Sequence, residues 1–233
     1  MVFILLFIII NYLIRMNSAI IVAGGVGSRT ISKVPKQFVR INTNNRILSF
    51  SVQAFKKNKN IDEVVIVVHK DWLDIINREF LNCKVVEGGK TRYDSSYQGL
   101  ISCSSNCKNV LIHDAARPFI SQIIIDTGFS SIDEFDAGIP IIDNRDSLLR
   151  LKENDIKYVD RKNIKVIQTP QFFNYSIIKE AYDSSTFSNK FTDDMSVLLN
   201  YNKDVKKIFF KGSIQNIKIT TQDDLENAIK MLK

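Results

Sequence analysis

Between residues 19 and 142 the chain carries five short, largely β-branched apolar runs, and amphipathic stretches of helical period lie between them. The runs cover residues 19–22, 64–68, 84–86, 110–112 and 138–142. A strand without polar interruption has to be covered on both faces, and strands joined through helices return in the same direction. The pattern therefore dictates an α/β fold: a mostly parallel sheet sandwiched between helices, predicted here over residues 47–55, 71–80, 92–101 and 123–132. The period then changes. Residues 148–159 alternate around Glu153, Asn154 and Asp155, which predicts a protruding β-hairpin. Helix and strand resume after Pro170 and end with a strand predicted at residues 217–219 and a last helix reaching Leu232. No repeat, low-complexity tract or linker divides the chain, so residues 16–233 read as one domain with a hairpin arm at about 146–162.

Residues 1–15 stand apart. Met1 to Ile14 is almost wholly apolar, shorter than the roughly 20 residues of a membrane-spanning helix, and it has neither the basic start nor the small-residue cleavage site of a signal peptide. Two readings follow: translation that begins at Met16, or an N-terminal membrane tether. The first is preferred, and no membrane partner is expected.

Charge narrows the partner class. The formal net charge of +7 suits an anionic ligand. The lysines are scattered, however, and the densest group, Lys56, Lys57 and Lys59, ends an amphipathic helix. A solvated basic surface explains that scatter, and no nucleic-acid partner is expected. Three cysteines without a CxxC pair, and only two histidines, argue against a zinc site or a disulfide framework and for reduced thiols in a cytoplasmic setting.

In an open parallel sheet, ligands bind beyond the carboxyl ends of the strands, so the residues after each apolar run carry the functional information. The first run is followed by Ala23-Gly24-Gly25-Val26-Gly27-Ser28-Arg29, whose glycines let backbone N–H groups approach a phosphate. It is not a P-loop, because no Gly-Lys-Ser/Thr follows, and Thr30 replaces the third glycine of a dinucleotide fingerprint. Pro35-Lys36-Gln37 lies just beyond. The third run leads into Gly88-Gly89-Lys90-Thr91-Arg92, and the fourth into His113-Asp114-Ala115-Ala116-Arg117-Pro118. Lys218 sits between Ile217 and Ile219. Cations at four separate strand ends on one edge suit a triphosphate. His113 and Trp72 are read as packing residues.

These segments, with QTPQFF, TDD and GSIQNIKITTQDDL, resemble the sugar- and polyol-phosphate cytidylyltransferases over residues 18–233. The nearest groups act on 2-C-methyl-D-erythritol 4-phosphate and on ribitol 5-phosphate. Ala115-Ala116 and the doubled Asp193-Asp194 favour the first. The resemblance implies a Rossmann-like, glycosyltransferase-A-like three-layer sandwich that transfers CMP from CTP to a small polyol phosphate. Residue by residue, it implies that Ala23, Gly24, Gly25 and Gly27 cradle the CTP phosphates, with Gly89, Arg92 and Ser95 along the nucleoside and Asp114 and Arg117 at the fourth turn. It places Arg29, Lys36 and Lys218 around the reacting phosphate as the catalytic cations. Ser147, Arg161, Thr169 and Thr192 match acceptor-binding positions. Mg²⁺ is implied as cofactor, held mainly by the CTP phosphates, with Asp114 the one protein ligand to consider. The arm, with Arg161 at its foot, implies a homodimer. Lys90 stands where the family often has an acidic residue, and Ser147 replaces the usual Thr.

Overall fold

A computed structural model describes residues 15–25, 34–152, 155–185 and 190–232. The parallel sheet predicted from the apolar runs is there, with β1 (Met16–Ala23), β2 (Glu63–Val68), β3 (Lys84–Glu87), β4 (Cys107–Asp114) and β5 (Ala137–Asp143). Strand β1 lies parallel between β2 and β4, pairing Ile20 with Val65 on one side and with Ile112 on the other. β3 extends the sheet beyond β2, in parallel.

Alternation along β1 divides the core. Ala19, Ile21 and Ala23 point to the face covered by α1 (Ile47–Lys57), α2 (Leu73–Glu79) and α4 (Gln122–Ser131), where they meet Leu48, Phe55, Ile76 and Phe129. Ile20, with Val65, Val67 and Ile112, points the other way and packs with Leu100, Ile178, Tyr182 and Leu198. Those residues belong to α3 (Arg92–Ile101), α5 (Tyr175–Asp183) and α6 (Asp194–Tyr201). The expected three-layer sandwich results, because side chains on a strand alternate with period two. The C-terminal helix α7 (Gln222–Leu232) closes one end against Ile41, Ile47 and Ile219.

Beyond β5 the structure departs from the sequence reading. β8 (Lys165–Ile167) pairs antiparallel with the outer half of β5, while β9 (Gln171–Asn174) runs antiparallel between β4 and β5. β10 (Lys207–Lys211), whose Ile208, Phe209 and Phe210 lie between two lysines, pairs parallel with β5 at the edge of the sheet. The sheet order is β10-β5-β9-β4-β1-β2-β3. The strand predicted at residues 217–219 is not a strand. Its Ile219 N–H donates to the Ala116 carbonyl, and Ile219 is buried against α7, so the Ile-Lys-Ile alternation reflects one apolar contact in an extended loop.

The arm is present. β6 (Leu148–Lys152) and β7 (Asp155–Val159) pair antiparallel from Leu148↔Val159 to Lys152↔Asp155 and form a sheet of their own. Among the described residues no helix is long and apolar enough to cross a membrane.

Candidate active site

The ends of β1 to β4 open into a cavity of about 750 Å³. Its floor is backbone. Gly24, leaving β1, and Gly88, leaving β3, both run beside the Ser95 side chain; a Cβ at either position would come within 2.8 Å and 2.7 Å of Ser95 Oγ. Only glycine allows both segments to close on that hydroxyl, which donates to the Thr91 carbonyl. The first turn of α3 faces the same space with Thr91 and Arg92. Thr91 and Asp94 cap that helix reciprocally, through Asp94 N to Thr91 Oγ1 at 3.1 Å and Thr91 N to Asp94 Oδ2 at 3.0 Å. A capped helix N-terminus beside glycine-lined backbone is a ready seat for anionic groups.

Lys36, Lys70, Lys90, Arg92 and Lys218 line this cavity. Two of these charges, Arg92 and Lys218, are paired with Asp114, at the end of β4. Arg92 Nε meets Asp114 Oδ1 at 2.9 Å, and Lys218 Nζ meets Oδ2 at 2.6 Å. Burial works to raise the Asp114 carboxyl, but Arg92 and Lys218 outweigh it and hold it far below the ordinary carboxylate range. The carboxylate is thus ionised at any physiological pH, and it joins a cation of α3 to Lys218, which lies 104 residues beyond Asp114 in sequence.

The turn under Asp114 is built from groups that do not reach the cavity. Asp114 N–H donates to Thr169 Oγ1 at 3.0 Å, and the Thr169 hydroxyl also meets His113 Nδ1 at 3.2 Å. His113 Nε2 lies 3.0 Å from the Arg117 carbonyl, which can only accept, so Nε2 carries the proton and Nδ1 accepts from Thr169. Burial drives the His113 pKa down to about 4, against a smaller pull upward from Asp114, and the ring is neutral. It packs edge-on against Phe55. Arg117 is buried and donates to the Asn216 carbonyl at 2.7 Å, tying the Asp114 turn to the loop that presents Lys218.

The structure therefore sorts the expected residues. Gly24, Gly25, Lys36, Gly89, Arg92, Ser95, Asp114 and Lys218 share the cavity. Ala23 is adjacent, its carbonyl held by Gln37 Nε2 at 2.8 Å. Gly27 and Arg29 lie outside the described residues. Arg117 and Thr169, expected at ligands, are buried braces beneath the turn. Ser147, Arg161 and Thr192 are exposed and line no part of the cavity, and Arg161 donates to the Arg145 carbonyl at the foot of the arm. His113 and Trp72 pack as expected, with Trp72 stacked 4.4 Å from Phe38.

The sequence reading missed His69 and Lys70, which line the cavity just after β2 and satisfy the strand-end rule used for the other three strands. It also passed over Gln37 as a functional residue. That side chain spans the Ala23 and Gly25 carbonyls, at 2.8 Å and 2.6 Å, and so fixes the Lys36 segment to the end of β1.

Glycine-lined backbone and cations on the carboxyl edge of a mostly parallel sheet suit the class of enzymes that bind and transfer nucleotides. Among the described residues, no group of three or more His, Cys, Asp or Glu side chains is placed to hold a metal ion.

Comparison with known proteins agrees. The family profile described as IspD, 2-C-methyl-D-erythritol 4-phosphate cytidylyltransferase, matches residues 17–233. The chain is 41% identical over 218 residues to a 2-C-methyl-D-erythritol 4-phosphate cytidylyltransferase of Clostridium botulinum (strain Langeland), covering 90% of this chain and 94% of that one. A protein of the same name from Lachnospira eligens is 36% identical over 229 residues, covering 94% and 100%. Among solved structures, the 4-diphosphocytidyl-2C-methyl-D-erythritol synthase of Anaerococcus prevotii superposes with a TM-score of 0.81 at 28% identity, covering 94% of this chain and 96% of that one. The chain belongs to the 2-C-methyl-D-erythritol 4-phosphate cytidylyltransferase family.

Proposed function

We propose that this chain transfers CMP from CTP to the phosphate of 2-C-methyl-D-erythritol 4-phosphate, releasing pyrophosphate and supplying isoprenoid precursor synthesis. The observation that carries the reading is the Arg92–Asp114–Lys218 array at the mouth of the glycine-lined cavity. The family match favours the branched tetrol phosphate over ribitol 5-phosphate as acceptor.

An acceptor phosphate oxygen, already ionised near neutral pH, attacks the α-phosphorus of CTP. The bond from that phosphorus to the bridging oxygen breaks, and pyrophosphate leaves with the electron pair. No general base is required, which fits a neutral His113 sealed beneath the turn. The protein has to align two anions and place positive charge around the phosphorus. Lys36 and Lys218 are assigned that charge, and Arg29 is assigned with them from the family pattern. Gly24, Gly25 and Gly89 offer backbone to the nucleotide, and Ser95 holds the cavity floor together.

The donors present suit a magnesium ion carried by the substrate rather than a resident metal. Asp114 is one buried carboxylate with each oxygen already facing a cation, and magnesium keeps few protein ligands beside phosphate oxygens. Carried by the triphosphate, with Asp114 the carboxylate that would help hold it, such an ion would neutralise phosphate charge.

A homodimer completes the reading. Leu149, Leu151, Ile156 and Tyr158 share one face of the arm through the pairs Leu149↔Tyr158 and Leu151↔Ile156, and all four are exposed, Tyr158 at 81%. A second copy of the chain would cover that face and bring the arm, with Arg161 at its foot, toward the acceptor.

Lys36→Ala and Lys218→Ala test the assignment in steady-state turnover of CTP. Each should lower kcat by about 10²–10³-fold, the scale for loss of one preorganised electrostatic group. Near wild-type turnover in both would refute the roles given to these lysines.

A further inference from the structure

Arg92 reaches the cavity from the first turn of α3, yet the carboxylate that fixes its guanidinium lies outside the cavity. Asp194, at the start of α6, is fully buried. It takes Arg92 in a two-pronged grip, Nη1 to Oδ1 at 3.1 Å and Nη2 to Oδ2 at 2.7 Å. The Tyr182 hydroxyl donates to the same Oδ1 at 2.7 Å, and its ring stacks on Tyr93, 4.6 Å away. A paired fork of this kind sets the plane of the guanidinium as well as its place. It leaves Nε to point at Asp114, which in turn holds Lys218. Charges therefore alternate along one line, Asp194–Arg92–Asp114–Lys218, from the buried layer to the cavity mouth.

The buried end of that line is itself firmly seated. Gln171 on β9 donates to Asp193 Oδ2 at 2.8 Å and accepts from Met195 N–H at 2.9 Å, so it brackets Asp194. Asp193 caps α6 by accepting from Ser196 N–H at 2.9 Å.

We propose that Asp194 is a positioning residue for the nucleotide-transfer reaction: without touching either substrate, it aims Arg92 and, through Asp114, orients Lys218. The inference rests on the function proposed above. It predicts more than a general structural role would, because Asp194 should matter only while Arg92 is there to be held.

A double-mutant cycle reads this directly. Asp194→Asn keeps the shape of the side chain and removes its charge. It should lower kcat/KM for CTP by about 10–100-fold, the range found when the hydrogen-bonded support behind a functional ligand is removed at metal sites. In an Arg92→Gln background the same change should cost less than about threefold. Should Asp194→Asn alone fail to fold, Tyr182→Phe, with and without Arg92→Gln, supplies the same cycle. Full wild-type kcat/KM in a folded Asp194→Asn variant, or equal losses in both backgrounds, would overturn the proposal. Calorimetric titration with CTP separates it from the function it rests on. A wild-type protein that binds CTP but turns over neither polyol phosphate counts against the reaction, and the cycle is then read on CTP affinity.

Discussion

His113 and Asp114 are neighbours with opposite electrostatic fates, and the difference is one of partners. Asp114 is buried beside two cations and stays charged; His113 is buried among a hydroxyl, a carbonyl and the Phe55 ring and stays neutral. The histidine predicts a pH dependence of stability. Its folded pKa of about 4 lies below the ordinary value of 6.5, so the unfolded chain binds the proton first as pH falls. The stabilisation is complete above pH 6.5 and declines toward pH 4, by roughly 3 kcal/mol in all. Above about pH 4.5 this decline precedes protonation of Glu79, whose carboxyl the Arg46 hydrogen bond lowers against the opposing effect of burial. Urea denaturation at pH 7 and pH 5 should show the loss in the wild type and a smaller loss in His113→Gln. Equal losses would contradict the assignment. The sequence exposed the charged half of this pair more readily than the neutral half: a strand-end aspartate beside glycine-rich loops speaks for a ligand site, whereas the tautomer of a buried imidazole depends on Thr169 and the Arg117 carbonyl, which only the fold brings near.

Helix α4 and strand β9 show what happens between elements. Gly128 on α4 lies against the ring of Phe172 on β9, and a Cβ there would overlap the ring. Phe172 is fully buried, so it has nowhere to retreat. Alanine would gain about 1 kcal/mol in helix propensity, but overpacking a filled core typically costs about 1–3 kcal/mol. Gly128→Ala is therefore expected to lower stability, by up to about 2 kcal/mol in the difference, as read from the denaturation midpoint. A raised midpoint would show that Phe172 has room the structure does not give it. The same pair explains where the sequence was legible. The runs that became β1, β2 and β4 are unbroken because both of their faces are covered. β9 is short and opens with Gln171, and its direction is set by pairing with β4 and β5 rather than by its own residues. β10 is only three apolar residues between lysines at the sheet edge. In residues 217–219 the Ile-Lys-Ile alternation suggested a strand where one backbone hydrogen bond and a buried Ile219 suffice.

At the scale of the whole molecule, the site was legible wherever one parallel strand end could stand for it. Gly24, Gly25, Lys36, Gly89, Arg92 and Asp114 follow such ends and share the cavity with Ser95, which only the family resemblance indicated, and with Lys218, which stands in a loop where the sequence suggested a strand. Asp194 was not, because its role exists only when α6 packs beside α3. Ser147, Arg161 and Thr192 were assigned from the family pattern, and in the single chain they remain outside the cavity. The proposed dimer gives these residues their setting, and it makes a prediction of its own. Leu151→Asp with Ile156→Asp puts two charges on the exposed apolar face of the arm. Sedimentation should then show monomer where the wild type shows dimer, with turnover falling alongside. A variant that sediments like the wild type would mean that the arm is not the interface.

The central claim is CMP transfer to methylerythritol phosphate, and acceptor-dependent release of pyrophosphate measures it. The protein should release pyrophosphate from CTP and Mg²⁺ when 2-C-methyl-D-erythritol 4-phosphate is supplied, and not when ribitol 5-phosphate replaces it. Release with ribitol 5-phosphate alone, or none with either acceptor from folded protein, would contradict the account.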